Sequence, residues 1–129
     1  MFRANLTLIT VDYNSDEFIQ KNFELFAKTN PNSKINWIVV KNDQGSLTDL
    51  ENLLSPYKTH IDYQVIKGSP NFKTPFDEGS YHHSAGIQFA LSQVKTRFVG
   101  VVDPDFFTVM PEWLGLALDE MNRMDLGFW

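Results

Sequence analysis

The sequence contains no cysteine, which excludes disulfide bonds, thiolate zinc sites and a cysteine nucleophile. It also lacks an apolar run close to the ~20 residues that a membrane-spanning helix requires, and no signal-peptide h-region precedes its first strand-like segment. Positive charge is scarce, because 11 Lys and Arg residues face 16 Asp and Glu residues and leave a net charge of −5. That balance argues against sequence-independent binding of nucleic acid. We therefore expect a cytoplasmic protein with no transmembrane segment and no nucleic-acid partner.

Short apolar runs alternate along the chain with longer segments whose apolar residues recur at helical spacing. The runs at residues 6–11, 35–40, 61–65 and 97–102 predict strands, and each is followed by a predicted helix. Strands that alternate with helices indicate an α/β fold with a doubly wound, mostly parallel sheet and helices on both faces. Right-handed connections then predict the strand order 3-2-1-4. The 129 residues are enough for one domain with its own core.

Polar residues and proline predict where the helices begin. Asn14 followed by Glu17 is typical of a capping box, and Ser46 with Asp49 indicates a second capped start. Pro111 is expected in the first turn of the fourth helix. The predicted apolar face of that helix consists of Trp113, Leu114, Ala117, Leu118, Met121 and Met124.

The fourth strand pattern ends in Asp103-Pro104-Asp105. Because proline cannot continue a central strand, the sheet is predicted to stop at Asp103. Two carboxylates then follow a buried strand at its carboxyl end, which is where open α/β sheets bind their ligands. A polar turn without a ligand would give the same triplet, so its location carries more information than the triplet itself.

In the order 3-2-1-4 the first and fourth strands are neighbours, and a ligand crevice is expected between their carboxyl ends. Asp12, Asp43, Asp103 and Asp105 would all approach this edge. Two carboxylates about 4 Å apart repel by roughly 4 kcal/mol at an effective dielectric constant of about 20. Such a cluster is costly unless a divalent cation or a shared proton relieves it. Oxygen ligands of this kind favour Mg²⁺ or Mn²⁺.

Three stretches together resemble family 2 glycosyltransferases of the GT-A fold. They are residues 6–14, residues 38–42 with Gly45 and Ser46, and the stretch from His83 through Gly86 to Phe107. The last contains an Asp-Pro-Asp version of the family's Asp-x-Asp motif, and a Pro-x-Trp helix start follows it. The resemblance spans nearly all 129 residues. It implies a single Rossmann-like nucleotide-sugar-binding domain over residues 1–129, without the acceptor-binding half of the family.

The resemblance implies a metal-dependent hexosyltransferase-like enzyme that moves a sugar from a nucleoside-diphosphate sugar to an unknown acceptor. Its cofactor would be Mn²⁺ or Mg²⁺. Asp105 would bind the metal that bridges the diphosphate, and Asp103 would contact the ribose or the metal. No catalytic base is identified, because in the family that residue lies beyond the segment where this chain ends.

The resemblance also implies a donor nucleotide site. The turn after the first strand would line the nucleoside pocket, the segment after the second strand would face the base, and His83 would contact the phosphates. Local packing is the alternative for His83. Lys41 departs from the family, since many members carry an acidic residue there, and Asp43 would take that part. The implied nucleotide contacts are Val11, Asp12, Tyr13, Asn14, Asn42, Asp43, His83 and Asp103.

Other classes of protein remain as alternatives. A module of the same fold could bind a nucleotide-sugar without turning it over. A receiver-type signalling domain would require adjacent acidic residues after the first strand, where this chain has Asp12 and Tyr13. A dinucleotide oxidoreductase would require Gly-x-Gly-x-x-Gly after that strand, which is missing. Phe128 and Trp129 resemble the start of a further strand, so self-association through the C-terminal end is expected.

Overall fold

The computed structural model of the protein describes residues 1–68 and 79–124, and for residues 79–84 it describes the backbone alone. Within these residues, strands and helices alternate along the chain. The strands are β1 (Phe2–Asp12), β2 (Ser33–Lys41), β3 (Ile61–Lys67) and β4 (Phe98–Val101). The α-helices are α1 (Asp16–Thr29), α2 (Leu47–Leu54), α3 (Gly79–Leu91) and α4 (Trp113–Arg123), and a 3-10 turn (Ser55–Tyr57) follows α2.

The strands form one parallel sheet in the order β3-β2-β1-β4, which confirms the predicted topology. Ile9 of β1 is opposite Val101 of β4, and Asp12 of β1 is opposite Lys41 of β2. The carboxyl ends of these three strands therefore meet at one edge of the sheet. Asp12 ends β1 and Asp103 follows β4 closely, so both lie at this edge, as the order 3-2-1-4 predicts.

Helices cover both faces of the sheet, as predicted for a doubly wound fold. On one face Leu6 and Leu8 of β1 belong to a large buried cluster with residues of α1, α2 and α4, including Phe23 and Trp113. On the other face a smaller cluster joins the ends of β1 and β2 to α3. Its buried members are Ile9, Val11, Ile38, Val40 and Ala90. The alternation along β1 divides the core in this way because successive strand residues point to opposite faces.

The predicted capping box at Asn14 and Glu17 is wrong. Helix α1 begins at Asp16, Asn14 has a left-handed backbone (φ 53°), and its N–H donates to Asp43 Oδ2 at 2.7 Å. The Asp12 carboxylate instead accepts from the Ser15 N–H at 2.8 Å. Asp12, the last residue of β1, thus provides the hydrogen-bond acceptor for the backbone N–H of Ser15 at the start of α1. The second prediction is confirmed, since Ser46 Oγ accepts from the Asp49 N–H at 3.2 Å.

Helix α4 begins two residues later than Pro111 suggests. Glu112 precedes it in a left-handed conformation (φ 58°), and its N–H donates to the Thr29 carbonyl at 2.7 Å. Asn30 Oδ1 then accepts from the Leu114 N–H at 3.2 Å, so the end of α1 anchors the start of α4. The predicted apolar face of α4 is buried apart from Met124, which is 52% exposed. Among the described residues, no helix has the length and apolar character needed to cross a membrane.

Candidate functional site

A buried lysine lies among three carboxylates where β1, β2 and the start of α1 meet. Asp12 and Lys41 are opposite each other at the ends of neighbouring strands. Lys41 Nζ lies 2.6 Å from Asp16 Oδ1, 3.1 Å from Asp43 Oδ1 and 3.3 Å from Asp12 Oδ2. The Lys41 side chain is 2% exposed. We call Asp12, Asp16, Lys41 and Asp43 the Lys41 cluster.

The four groups of the Lys41 cluster change one another's protonation. Burial raises the pKa of Asp12 to about 7, and a hydrogen bond with Asp16 adds to the effect. That same hydrogen bond lowers the pKa of Asp16, as does Lys41. Burial opposes ionisation of Asp43, but the N–H groups of Asn14 and Gly45 and the Lys41 ammonium outweigh it and lower its pKa. Burial also opposes the charge on Lys41, yet the carboxylates of Asp16, Asp43 and Asp12 raise its pKa.

In the Lys41 cluster, one ammonium group and one proton relieve the repulsion between the three carboxylates. One oxygen from each of Asp12, Asp16 and Asp43 lies within 4.8 Å of the others, a spacing at which carboxylates can hold a metal ion. Lys41 Nζ occupies this arrangement and supplies positive charge to all three. Asp12, whose pKa burial raises to about 7, supplies a proton for its hydrogen bond with Asp16. The cluster therefore serves to hold the ends of β1 and β2 and the start of α1 together.

Asn42 lies under α3, beside the cluster. Its N–H donates to the Asp12 carbonyl at 2.8 Å, which extends the pairing of β1 and β2 by one residue. A Cβ atom on Gly86 would lie 3.1 Å from Val11 Cγ2 and 3.2 Å from Asn42 Nδ2, and a Cβ on Gly68 would overlap Asn42 Oδ1. Glycine at both positions thus allows Val11 and Asn42 to pack closely at the carboxyl edge of the sheet.

A surface pocket of about 380 Å³ opens over the Lys41 cluster. Two of the predicted nucleotide contacts, Asn14 and Asp43, line it together with Lys41 and Gly45. Tyr13, a third predicted contact, is 64% exposed next to Asn14 in the chain. The remaining lining residues are Ser15, Asp16, Glu17 and Phe18.

The Asp103-Pro104-Asp105 segment forms a turn after β4, and both carboxylate residues are exposed. The Val102 N–H donates to the Ile9 carbonyl at 2.9 Å, which holds the entrance of this turn to β1. The Phe106 N–H donates to the Asp103 carbonyl at 3.0 Å and closes the turn. Asp103 and Phe106 line a second cavity of about 380 Å³, together with Leu8, Asn22, Trp37, Val101, Val102, Thr108 and Trp113.

The structure brings some of the predicted site residues together and leaves others apart. Asp12 and Asp43 share the Lys41 cluster, whereas Asp103 and Asp105 lie in the turn after β4 and belong to no grouping of three acidic or histidine side chains among the described residues. His83 falls on α3, but its side chain lies outside the described residues.

Sequence reasoning missed Asp16 and treated Lys41 only as a departure from a family pattern. A signal was present for Lys41, because this lysine directly continues the apolar run at residues 37–40, where a buried charge needs a partner. Asn22 was also missed, although it interrupts the apolar stripe of Ile19 and Phe23 on α1.

The four-stranded parallel sheet in the order 3-2-1-4, with its helices on both faces, matches part of several solved structures. These are crystal structures of S. aureus TarS. One superposes with a TM-score of 0.62 at 19% identity, over 93% of this chain and 20% of that chain. TarS 1-349 in complex with UDP gives 0.60 at 19% identity, over 92% of this chain and 32% of that chain. The complex of TarS 1-349 with UDP-GlcNAc gives a TM-score of 0.57 at 21% identity, over 92% of this chain and 31% of that chain.

These similarities show the fold, and the chain spans between 20% and 32% of the length of the matched structures. No protein-family model matches the sequence, and no curated protein matches it either.

Proposed function

We propose that this chain is the donor-binding part of a family 2 glycosyltransferase of the GT-A fold. It binds a nucleoside-diphosphate sugar with Mn²⁺ or Mg²⁺ and serves the transfer of the sugar to an acceptor. The observation that carries the proposal is the arrangement of the carboxyl edge of the sheet. Asp12, Asn42 and Asp43 follow β1 and β2, and the Asp103–Asp105 turn follows the neighbouring β4. The likeness to structures of TarS with UDP and UDP-GlcNAc supports a nucleotide-sugar as the ligand.

The nucleoside would bind where β1 and β2 end. The pocket over the Lys41 cluster offers Asn14 and Asp43, with exposed Tyr13 adjacent in the chain. Val11 and Asn42 lie under α3 at the same edge. His83, on α3, would contact the donor phosphates.

The metal would bind at the turn after β4. Asp103 and Asp105 are exposed residues that carry carboxylate oxygens, the ligand type that Mg²⁺ and Mn²⁺ prefer. The carboxylates of the Lys41 cluster fit a cation less well, since an ammonium already neutralises them. A metal at the turn would stabilise negative charge on the departing nucleoside diphosphate. The two carboxylates of Asp103 and Asp105 fit a metal ion that stabilises charge in this way.

Calorimetry with UDP and GDP, each with and without Mn²⁺, tests the proposal. We expect the parent to bind at least one of the two nucleotides more tightly with Mn²⁺, and Asp105→Ala to lose that gain. Asp119→Ala, which removes an exposed carboxylate from α4, is the matched control and should bind like the parent. Equal Mn²⁺-dependent affinity in Asp105→Ala and the parent would refute the metal role. A parent that binds neither nucleotide would refute the proposed function itself.

A further inference from the structure

Asn22 is a buried amide on α1 that contacts the turn carrying Asp103 and Asp105. Its side chain lies among the apolar residues that α1 packs on the sheet, and the residue is 2% exposed. Its Nδ2 donates a hydrogen bond of 2.8 Å to the Pro104 carbonyl, 82 residues further along the chain. A buried amide is costly unless it is hydrogen-bonded, so this bond specifies one position of the turn relative to α1.

The bond acts on the part of the turn that separates the two carboxylates. Pro104 has a restricted φ angle and no N–H, so its carbonyl is the backbone group through which the turn can be held at this residue. The Asp103 carbonyl is already used by the Phe106 N–H at 3.0 Å. With both carbonyls bonded, the backbone between Asp103 and Asp105 is restrained at two consecutive residues.

A second contact from α1 holds the segment that follows. The rings of Phe18 and Phe107 have centroids 5.9 Å apart. Phe18 precedes Asn22 by four residues and therefore lies on the same side of α1. Asp16, in the first turn of α1, contacts Lys41 Nζ at 2.6 Å. One helix thus contacts both the Lys41 cluster and the turn after β4, at points about 9 Å apart along its axis.

We propose that Asn22 is a positioning residue that fixes the spacing of the Asp103 and Asp105 carboxylates for a metal-bound diphosphate. This inference rests on the proposed function, because it needs a metal at the turn. Without the bond from Asn22, the turn would sample positions in which the two carboxylates no longer meet one cation. The metal-dependent part of nucleotide binding would then weaken, while contacts with the nucleoside at the ends of β1 and β2 would be kept.

The test compares two variants of Asn22 with a matched control. Asn22→Leu removes the donor at similar volume, and Asn22→Ser keeps a small polar group that is too short to reach Pro104. Asn30→Leu is the control, since Asn30 is also a buried asparagine at the end of α1 but bonds to α4 and not to the turn. For each protein, calorimetry gives the UDP dissociation constant with and without Mn²⁺, and thermal unfolding gives the stability.

We expect both Asn22 variants to reduce the gain in UDP affinity that Mn²⁺ provides by about three- to tenfold, the size that loss of one hydrogen bond produces. UDP affinity without Mn²⁺ should change little, and Asn30→Leu should lower stability while keeping the gain. If Asn22→Leu does not fold, Asn22→Ser alone decides. An unchanged gain in the Asn22 variants, or an equal loss in Asn30→Leu, would overturn the role of Asn22. A parent without any Mn²⁺-dependent binding would overturn the proposed function, and this assignment with it.

Discussion

At the scale of single residues, Lys41 is a buried positive charge that three carboxylates surround. Its ammonium is almost fully buried and lies within 3.3 Å of oxygens from three carboxylates. Taking one partner away from a buried ion group costs more than the group contributes when complete, because the remaining charges cannot reach water. The cluster is therefore sensitive to replacement of its single cation.

Replacement of Lys41 by methionine should destabilise the protein strongly. Asp12, Asp16 and Asp43 would stay close together without their shared cation, and we expect the free energy of unfolding to fall by about 3–5 kcal/mol. Lys58→Met, at an exposed position, should change it by less than about 0.5 kcal/mol. Urea unfolding monitored by circular dichroism measures both values. Equal stability of the two variants would contradict the role assigned to Lys41.

The raised pKa of Asp12 makes stability depend on pH in a defined direction. The folded value of about 7 lies above the ordinary value of 3.8, so between these pH values the native state holds a proton that the unfolded chain has lost. The contribution of Asp12 is therefore fully present below about pH 4 and is lost as the pH rises through about 7. Asp16 and Asp43 have lowered pKa values, so their contributions are lost as the pH falls.

Asp12→Asn should remove the first of these dependences, since asparagine cannot ionise. Relative to the parent, the variant should gain about 2 kcal/mol of unfolding free energy between pH 5 and pH 8. Urea unfolding of the two proteins across this range measures the difference. A difference that stays constant with pH, or that changes in the parent's favour, would show that Asp12 is ionised throughout.

At the scale of elements, the two helices that contact the site do so in different ways. Helix α1 contributes polar side chains, Asp16 to the Lys41 cluster and Asn22 to the turn after β4. Helix α3 contributes a close approach instead, with Gly86 directly above Val11 and Asn42. Helix α3 can therefore lie this close to the ends of β1 and β2 because Gly86 has no side chain.

Gly86→Ala should move α3 away from this edge. The new methyl group would lie 3.1 Å from Val11 and 3.2 Å from Asn42. We expect overpacking of about 1–3 kcal/mol to outweigh the roughly 1 kcal/mol that alanine gains in helix propensity, for a net destabilisation of up to about 2 kcal/mol. Gly115→Ala is the matched control on α4, where a Cβ meets nothing within 4 Å. There the better helix propensity of alanine should raise stability by up to about 1 kcal/mol. Thermal unfolding of both variants checks the opposite signs, and a stabilising Gly86→Ala would contradict the packing argument.

At the scale of the whole molecule, the order of the strands decides which groups meet. With β1 between β2 and β4, the Lys41 cluster, Asn42 and the Asp103–Asp105 turn all lie at one edge of the sheet. Large apolar side chains are also exposed after the turn and on α4, namely Phe106, Phe107, Val109, Met110, Leu116 and Met124. Self-association through the C-terminal end stays a prediction, because Phe128 and Trp129 lie outside the described residues.

Sugar transfer by this chain alone should be slow or absent. A carboxylate that binds the metal is a poor base, and the described acids after Asp105, which are Glu112, Asp119 and Glu120, are exposed beside or on α4. Release of nucleoside diphosphate from a panel of UDP- and GDP-sugars with varied acceptors measures the turnover. Binding without turnover would favour a nucleotide-sugar-binding module. Multiple turnovers would show that a base lies within the chain, and Asp77 and Glu78, outside the described residues, would be replaced first.

Local patterns in the sequence were enough to predict the order of the strands and helices. Apolar periodicity is a local property, and it located the four strands of the described residues and the buried face of α4 apart from Met124. The Ser46 cap was predictable because donor and acceptor lie within one helical turn. The strand order followed from the alternation of strands and helices and from the handedness of their connections. Together these patterns predicted that Asp12, Asp43 and Asp103 lie at one edge of the sheet.

The partners of the polar side chains at that edge depend on contacts between distant segments of the chain. Asn14 and Glu17 have the spacing of a capping box, but Asp43 binds the Asn14 N–H from 29 residues away. Helix α4 starts at Trp113, two residues after Pro111, and the Thr29 carbonyl accepts the N–H of Glu112, the residue before it. In the sequence, Lys41 stands out only because many members of the family that the chain resembles have an acidic residue there. In the structure, its ammonium contacts carboxylates at two strand ends and on α1. Such bonds join segments that are far apart in the chain. They form only when the sheet is assembled, so no local pattern in the sequence predicts them.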